Sequence, residues 1–201
     1  MKKVLIFYGS HGGGHLSAAR NIKEYIDLNY NETTETMLVD CVEYASKALN
    51  SLSKTAYKEM AKNAHWAWKQ VYKNAEKGTF SKISNAANKL MATRLTRLLE
   101  DFNPDLIIST HPFASQMSAI LKKEGKTNCK IATVMTDYAP HAQWVINHEY
   151  VDYFFVAHDG MVEAVTKYGV PENKISVTGI PLSNRFLANY DKEKILADFR
   201  P

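Results

Sequence analysis

The sequence predicts an α/β fold: a doubly wound, Rossmann-like parallel sheet of about six or seven strands. Three observations lead to this prediction. Short apolar runs alternate with segments of helical spacing, which is typical of βαβ units. The first run, residues 4–8, leads directly into a glycine-rich loop. Histidines and other polar residues follow several of the runs, where open parallel sheets bind their ligands.

The elements are predicted in chain order from these patterns. Residues 3–8 (Lys-Val-Leu-Ile-Phe-Tyr) form a strand buried on both faces, because the run is apolar without alternation. Residues 9–14 form the glycine-rich loop, and residues 15–29 form a helix with apolar side chains at helical spacing. Further strands are predicted at 36–40, 105–109, 130–135, 152–157 and 174–178. Further helices are predicted at 113–124 and 161–168, with a long helical insert over about 42–101 and a last helix begun after the sixth strand, at 191–201.

Composition narrows the class of protein. The chain is 45% hydrophobic and 23% charged, which is ordinary for a globular domain of this length. Its two cysteines, Cys41 and Cys129, make neither a disulfide framework nor a zinc site. No apolar run approaches the roughly 18 residues of a membrane span, and the start lacks the long apolar stretch of a signal peptide. We therefore expect a cytoplasmic protein with reduced thiols.

The helical insert is the basic part of the chain. Residues 41–100 contain 11 Lys and Arg against four Asp and Glu, a net charge of +7, whereas the whole chain carries +4. Lysines interleaved with tryptophans are typical of surfaces that bind anionic membranes. The predicted membrane-binding residues are Trp66, Trp68, Lys62, Lys69 and Lys73. The alternative is a solvated helical face with the tryptophans in the core. No nucleic-acid-binding motif is present, so no nucleic acid is expected as a partner.

The loop after the first strand is the first candidate site. It reads Gly-Ser-His-Gly-Gly-Gly-His at residues 9–15. Glycines let backbone N–H groups approach a phosphate or an oxyanion, and the following helix adds the positive end of its dipole. We predict that Gly12, Gly13, Gly14 and His11 form this acceptor and phosphate loop.

Other ligands for the loop are weaker alternatives. The pattern of a P-loop is missing, and a dinucleotide fingerprint fails because Ser17 stands where a third glycine belongs. Only Asp40 could supply the carboxylate for a ribose. His11 and His15 are four residues apart, but no third ligand follows at a suitable spacing, so no metal site is predicted.

Two residues are predicted to be catalytic. His15 ends the glycine loop and could act as a general base. Asp137 follows the fourth predicted strand, where its carboxylate could orient a histidine or a substrate hydroxyl or act as the base itself. The alternative is a structural role, as the N-cap of a helix or in a hydrogen bond within the loop. Other candidates beyond the strand ends are His111, His141 and Trp144.

Four motifs in order resemble a known family. The first is Gly-Gly-Gly-His at 12–15 with Ala-Ala at 18–19, and the second is Asn-Pro-Asp-Leu-Ile-Ile at 103–108 with His-Pro at 111–112. The third is Val-Met-Thr-Asp at 134–137 with His at 141 and Trp at 144, and the fourth is Val-Thr-Gly-Ile-Pro at 177–181. The chain is thereby similar to the N-terminal domain of the monogalactosyldiacylglycerol synthases and processive diacylglycerol glucosyltransferases. These are relatives of the murein glycosyltransferase in glycosyltransferase family 28. Ser183-Asn184 departs from the Arg-Pro often found there, and His11 is not a family-wide position.

The resemblance implies a GT-B fold of two Rossmann-like domains. Residues 1–201 would be the acceptor-binding domain, and the donor-binding C-terminal domain would be absent. The implied reaction is an inverting, metal-independent transfer of a hexose from UDP-glucose or UDP-galactose to diacylglycerol or a glycosyldiacylglycerol. The UDP-sugar is a substrate, and no cofactor is expected. The enzyme would associate peripherally with the inner face of the cell membrane.

Other functions remain open on the sequence alone. The chain could be a stand-alone acceptor subunit that recruits a separate donor-binding subunit to the membrane. It could also be a nucleotide- or lipid-binding module without catalysis. The isolated chain is expected to be inactive as a transferase, because a GT-B active site lies between two domains.

Overall fold

The computed structural model describes residues 1–9, 13–47 and 95–187, together with residues 192, 193 and 196. The strands are β1 (Lys2–Tyr8), β2 (Thr34–Asp40), β3 (Leu106–Ser109), β4 (Lys130–Val134), β5 (Tyr153–Val156) and β6 (Ile175–Val177). The helices are α1 (Gly13–Asn29), α2 (Cys41–Lys47), α3 (Pro112–Lys123) and α4 (Gly160–Lys167), and residues 95–102 are also helical. Short 3₁₀ turns occur at Ala142–Trp144, His148–Tyr150, Glu172–Lys174 and Asn184–Leu187.

The six strands form one sheet in the order β2-β1-β3-β4-β5-β6, and every neighbouring pair is parallel. From β1 the chain first moves outward to β2, then returns to β3 on the other side and continues in that direction. The predicted Rossmann-like parallel sheet is thereby confirmed. The reversal between β1 and β3 is a topological switch point, where open α/β sheets bind ligands.

Both faces of β1 are buried, which explains its continuous apolar run. Successive side chains of a strand point to opposite faces. Val4 and Ile6 pack with Ala19 of α1 on one face, while Leu5 and Phe7 belong to the larger core on the other. Each fully buried side chain of this size contributes about 1.5–3 kcal/mol. β1 is therefore anchored firmly, and the loop that follows it starts from a fixed point.

Several boundaries differ from the predictions. The first helix begins at Gly13 instead of residue 15, so Gly13 and Gly14 are its first residues and not part of the loop. The first N–H groups of a helix lack intrahelical partners in any case, so glycine costs little there. β2 begins at Thr34, because its pairing with β1 extends back to Lys2. The remaining predicted strands and helices agree with the structure to within one or two residues at each end.

Two predictions are only partly covered by the described residues. The predicted insert at 42–101 is helical at Cys41–Lys47 and at residues 95–102, while its remainder, including the predicted membrane-binding residues, lies outside the described part of the chain. The predicted last helix is described only at residues 192, 193 and 196, which are helical. Among the described residues, no helix combines the length and the hydropathy that crossing a bilayer requires.

Candidate functional site

Three neighbouring strands end together at the carboxyl edge of the sheet. In the strand register Tyr8 lies opposite Asp40, Phe7 opposite Ser109, and Ser109 opposite Thr133. β1, β3 and β4 therefore end at nearly the same level, and the residues that follow them are brought together at the switch point. This edge is the candidate site.

His15 is held by two oxygen atoms on the same ring nitrogen. Its Nδ1 lies 2.7 Å from the backbone carbonyl oxygen of Thr110 and 2.6 Å from Oγ1 of Thr136. A carbonyl oxygen can only accept, so Nδ1 carries the proton and donates it. In a neutral ring Nε2 then has the lone pair, and no residue in the described part of the chain hydrogen-bonds to it. The half-buried ring is thus held through Nδ1, with Nε2 as the nitrogen that can accept a proton.

His111 lies against His15 and belongs to the start of α3. Its Nδ1 accepts a hydrogen bond from the Phe113 N–H at 3.2 Å, which caps the helix. The two histidine rings meet edge to face with centroids 4.6 Å apart. Gly9 allows this arrangement, because a Cβ at that position would lie 2.9 Å from Cγ and Cδ2 of His111.

Asp137 binds two side chains of its own loop. The indole N–H of Trp144 donates to Oδ2 of Asp137 at 2.7 Å, and Nε2 of His141 lies 3.2 Å from the same oxygen. Trp144 is fully buried, and a buried indole N–H needs such a partner. The histidine that Asp137 holds is therefore His141, while the ring of His15 is held by threonines.

The charge of Asp137 is stabilised by these contacts. The hydrogen bond from His141 is the largest influence and lowers the pKa of Asp137; burial acts in the opposite direction. The hydrogen bond from Trp144 and the positive potential of His141 and His15 lower it further, so the pKa lies below its ordinary value of 3.8. Asp137 is therefore an anion at neutral pH.

The loop that carries His141 and Trp144 is fixed to α3. Gln116 is almost completely buried, and its amide N–H group donates to the backbone oxygen of Gln143 at 2.7 Å. Farther along the edge, Nε2 of His158 lies 3.1 Å from the backbone oxygen of Tyr138 and donates to it. The loop after β4 is therefore held both by α3 and by His158, which follows β5.

The start of α1 is suited to an anion. Gly13 and Gly14 are exposed, a Cβ at either position would meet nothing within 4 Å, and the first turn contains no acidic residue. Exposed N–H groups at the positive end of a helix dipole attract phosphate. In the part of the chain that the structure describes, no group of three or more His, Cys, Asp or Glu side chains could hold a metal ion.

The hydrogen bonds of the Asp40 carboxylate do not fit the alternative of dinucleotide binding. Its Oδ1 accepts hydrogen bonds from the backbone N–H groups of Val42 at 3.0 Å and Glu43 at 2.9 Å. The carboxylate therefore caps the first turn of α2 and is 8% exposed. A carboxylate used in this way is poorly placed to bind a ribose.

The structure brings most predicted site residues together. One group surrounds the switch point: His15, His111, Asp137, His141, Trp144, Gly13 and Gly14. His11 and Gly12 lie outside the described residues. The sequence placed Thr110 and Thr136 after strands but gave them no role. The signal that could have identified them is that each lies within two residues of the carboxyl end of a strand, β3 for Thr110 and β4 for Thr136.

Comparisons with known proteins agree with this architecture. The family model for monogalactosyldiacylglycerol (MGDG) synthase matches residues 15–182. Processive diacylglycerol beta-glucosyltransferases from Staphylococcus carnosus and Staphylococcus epidermidis are each 30% identical over 94% and 98% of this chain, and 47% and 48% of their own length. A solved structure, the apo form of the lipopolysaccharide outer core galactosyltransferase WaaB, has 16% identity and a TM-score of 0.52. It matches 88% of this chain and 45% of its own, so the fold is that of one half of a GT-B glycosyltransferase.

Proposed function

The chain belongs to the monogalactosyldiacylglycerol synthase family, and from this premise we propose that it is the acceptor-binding half of an inverting lipid hexosyltransferase. The proposed donor is UDP-glucose or UDP-galactose, and the proposed acceptor is diacylglycerol or a glycosyldiacylglycerol. No cofactor is needed beyond these two substrates. The observation that carries the proposal is the fixed His15 ring at the switch point, with Nδ1 bonded and the Nε2 lone pair available.

His15 is the proposed base. Nε2 accepts the proton of the acceptor hydroxyl as that oxygen forms a bond to the anomeric carbon of the hexose. The bond from that carbon to the UDP oxygen breaks at the same time on the opposite face, so the configuration inverts. The electron pair of the broken bond leaves with UDP. The ring becomes an imidazolium whose Nδ1–H still donates to the oxygens of Thr110 and Thr136.

Two further features support this chemistry. The Asp137 carboxylate interacts electrostatically with His15, so it favours the imidazolium that forms during transfer. The exposed start of α1 offers N–H groups to the departing diphosphate. Both act on charges that develop in the transition state, which is where electrostatic stabilisation accelerates a reaction.

The chain spans about half the length of the curated relatives it matches. We therefore propose that the donor is bound by a second half of the enzyme and that catalysis occurs between the two. A stand-alone acceptor subunit that pairs with a separate donor subunit would use the same residues. A binding module without catalysis would not require a fixed histidine base.

We also propose that the enzyme docks peripherally on the cytoplasmic face of an anionic membrane. A lipid acceptor is presented at a bilayer surface, so its transferase gains from binding there. The basic character of residues 41–100 supports this proposal.

A transfer assay tests the proposed function. Labelled UDP-glucose and UDP-galactose are offered to diacylglycerol vesicles together with the 201-residue chain or with the two-domain enzyme that contains it. We expect glycolipid from the two-domain enzyme and none from the chain alone. If the two-domain enzyme uses neither donor, the proposal is wrong. If the chain alone transfers sugar, the donor site has been misplaced.

A further inference from the structure

Two oxygen atoms contact Nδ1 of His15, one from the segment after β3 and one from the segment after β4. One is a backbone oxygen and the other is a side-chain hydroxyl. The Thr110 carbonyl lies 2.7 Å away and the Thr136 hydroxyl 2.6 Å away. We propose that Thr136 is a positioning residue that, together with the Thr110 carbonyl, keeps His15 in the Nδ1–H tautomer with its ring fixed. The catalytic meaning of this inference rests on the proposed function, whereas the tautomer and the ring position do not.

The proton arrangement follows from the chemistry of the three groups. If Nδ1 were unprotonated, its lone pair would face a carbonyl oxygen at 2.7 Å, which is repulsive. Nδ1–H therefore points between the two oxygens and is shared between them, as in a three-centre hydrogen bond. The Thr136 hydroxyl hydrogen is then free to turn toward the Thr110 carbonyl, 3.4 Å away. The Nδ1–H tautomer therefore satisfies all three contacts among the His15 ring, the Thr110 carbonyl and the Thr136 hydroxyl.

Thr136 is well suited to this role by its position in the fold. It lies two residues beyond the end of β4, next to Met135, whose backbone N–H donates to the backbone oxygen of Phe155 at 2.9 Å. A β-branched side chain on such a held backbone has few rotamers, so its hydroxyl stays in place. A single oxygen acceptor would let the His15 ring rotate about the bond to it. Two acceptors on the same nitrogen, 3.4 Å from each other, restrict that rotation and keep Nε2 directed at one location.

The proposal can be tested without any transferase activity. The 201-residue chain is labelled with ¹⁵N-histidine, and NMR spectra report the tautomer of His15 and the exchange of its Nδ1 proton with water. The variants are Thr136→Val, which removes the hydroxyl, and Thr136→Ser, which retains it. Thr166→Val is the matched control, because the Thr166 hydroxyl donates to the backbone oxygen of Glu163 within α4, away from His15.

We expect the neutral ring of the wild type to be the Nδ1–H tautomer. Its Nδ1 proton should exchange about five-fold or more faster in Thr136→Val, as one hydrogen bond is lost, and at the wild-type rate in Thr136→Ser and Thr166→Val. In the two-domain enzyme, Thr136→Val should lower kcat about 10-fold. KM for the UDP-hexose should stay within about two-fold, since ground-state binding is not involved, and Thr136→Ser should restore kcat.

Three results would overturn the inference: an Nε2–H tautomer in the wild type, equal Nδ1 exchange in wild type and Thr136→Val, or equal loss of kcat in the Val and Ser variants. The NMR results are independent of the proposed reaction. A wild-type enzyme that transfers no hexose, combined with rapid exchange in Thr136→Val only, would refute the proposed function and still support the positioning of His15 by Thr136.

Discussion

Thr110 holds His15 at two points. Its hydroxyl donates to the backbone oxygen of His15 at 2.9 Å, and its own carbonyl oxygen lies 2.7 Å from Nδ1 of the His15 ring. Thr110 directly follows β3, and its N–H donates to Phe7 of β1 at 3.0 Å. The position of the candidate base is therefore determined by the pairing of β1 with β3. A site built on the sheet in this way is held more precisely than one carried by a loop alone.

Replacement of His15 by alanine should lower kcat of the two-domain enzyme by about 10²-fold or more. This is the usual contribution of a general base. The measurement is steady-state transfer of hexose to diacylglycerol vesicles. The matched control is His148→Ala, which removes a histidine packed against Gly169, away from the switch point; it should retain kcat within about three-fold. Near-normal kcat in the His15 variant would remove His15 from the mechanism.

Replacement of Asp137 by asparagine should lower kcat about 10-fold or more. The amide oxygen can still accept from Trp144, but the negative charge that interacts with His15 is lost. Asp159→Asn is the control, because Asp159 stands before α4 without a side-chain capping bond. Similar kcat values for both variants would show that the charge of Asp137 is not used in catalysis.

Gly9 and His111 should be energetically coupled. An alanine at position 9 would place its Cβ 2.9 Å from two atoms of the His111 ring, so the ring must move and its contact with His15 is lost. We expect Gly9→Ala to lower kcat about 10-fold in the wild type, and by less than about two-fold in a His111→Ala background. A double-mutant cycle measures the difference. Additive losses would mean that the contact with His111 is not what requires glycine.

Much of this architecture can be predicted from the sequence, because it depends on local patterns. The apolar run at residues 4–8 predicts β1. The position of His15 at the end of the glycine-rich sequence after that run predicts that it belongs to the site. The support of His15 cannot be predicted this way. Its two partners are 95 and 121 residues away in the chain, and their oxygens meet its ring only because β1, β3 and β4 end at one level.

The need for Gly9 and the partners of Asp137 could not be predicted from the sequence either. A glycine after a strand is usually taken as the sign of a turn. Here the space beside Gly9 is occupied by the ring of His111, the residue that caps the start of α3. Asp137 could have held any histidine at the site. Its bonds to His141 and Trp144 depend on how the loop after β4 folds back, which residue spacing alone does not determine.

Asp152 should stabilise the fold in a pH-dependent way. Burial raises the pKa of Asp152, but hydrogen bonds from Lys122, the Ile131 N–H and Lys130 outweigh burial, so the pKa lies below its ordinary value of 3.8. Its stabilising effect is therefore complete above the ordinary pKa and is lost as the pH falls through the lower folded pKa. At pH 7, Asp152→Asn should lower the free energy of unfolding by about 1–3 kcal/mol, because a mostly buried partner of two lysines is removed.

Urea unfolding of the chain from pH 7 down to about pH 2.5 measures this effect. The difference between wild type and Asp152→Asn should shrink below pH 4. Asp101→Asn is the control, since Asp101 and its partner Arg97 are 71% and 85% exposed, and surface pairs of this kind contribute little. A difference that stays constant with pH would show that the charge of Asp152 is not responsible.

Membrane docking should depend on both charge and tryptophan in the insert. Each lysine near an anionic surface contributes about 1 kcal/mol, and the attraction is screened beyond a Debye length. Vesicle flotation of the chain should therefore show binding to anionic but not neutral vesicles, weakening steeply as salt rises.

Replacing Lys62, Lys69 and Lys73 by glutamine should reduce binding by up to about 10²-fold. Trp66→Ala/Trp68→Ala should weaken binding at all salt concentrations, because interfacial insertion of an apolar ring is not screened. Tyr25→Ala, which removes an exposed aromatic ring from α1, should change neither property. If the wild-type chain ignores anionic vesicles even at low salt, the basic insert is only a solvated surface, and the enzyme must reach its lipid acceptor by other residues.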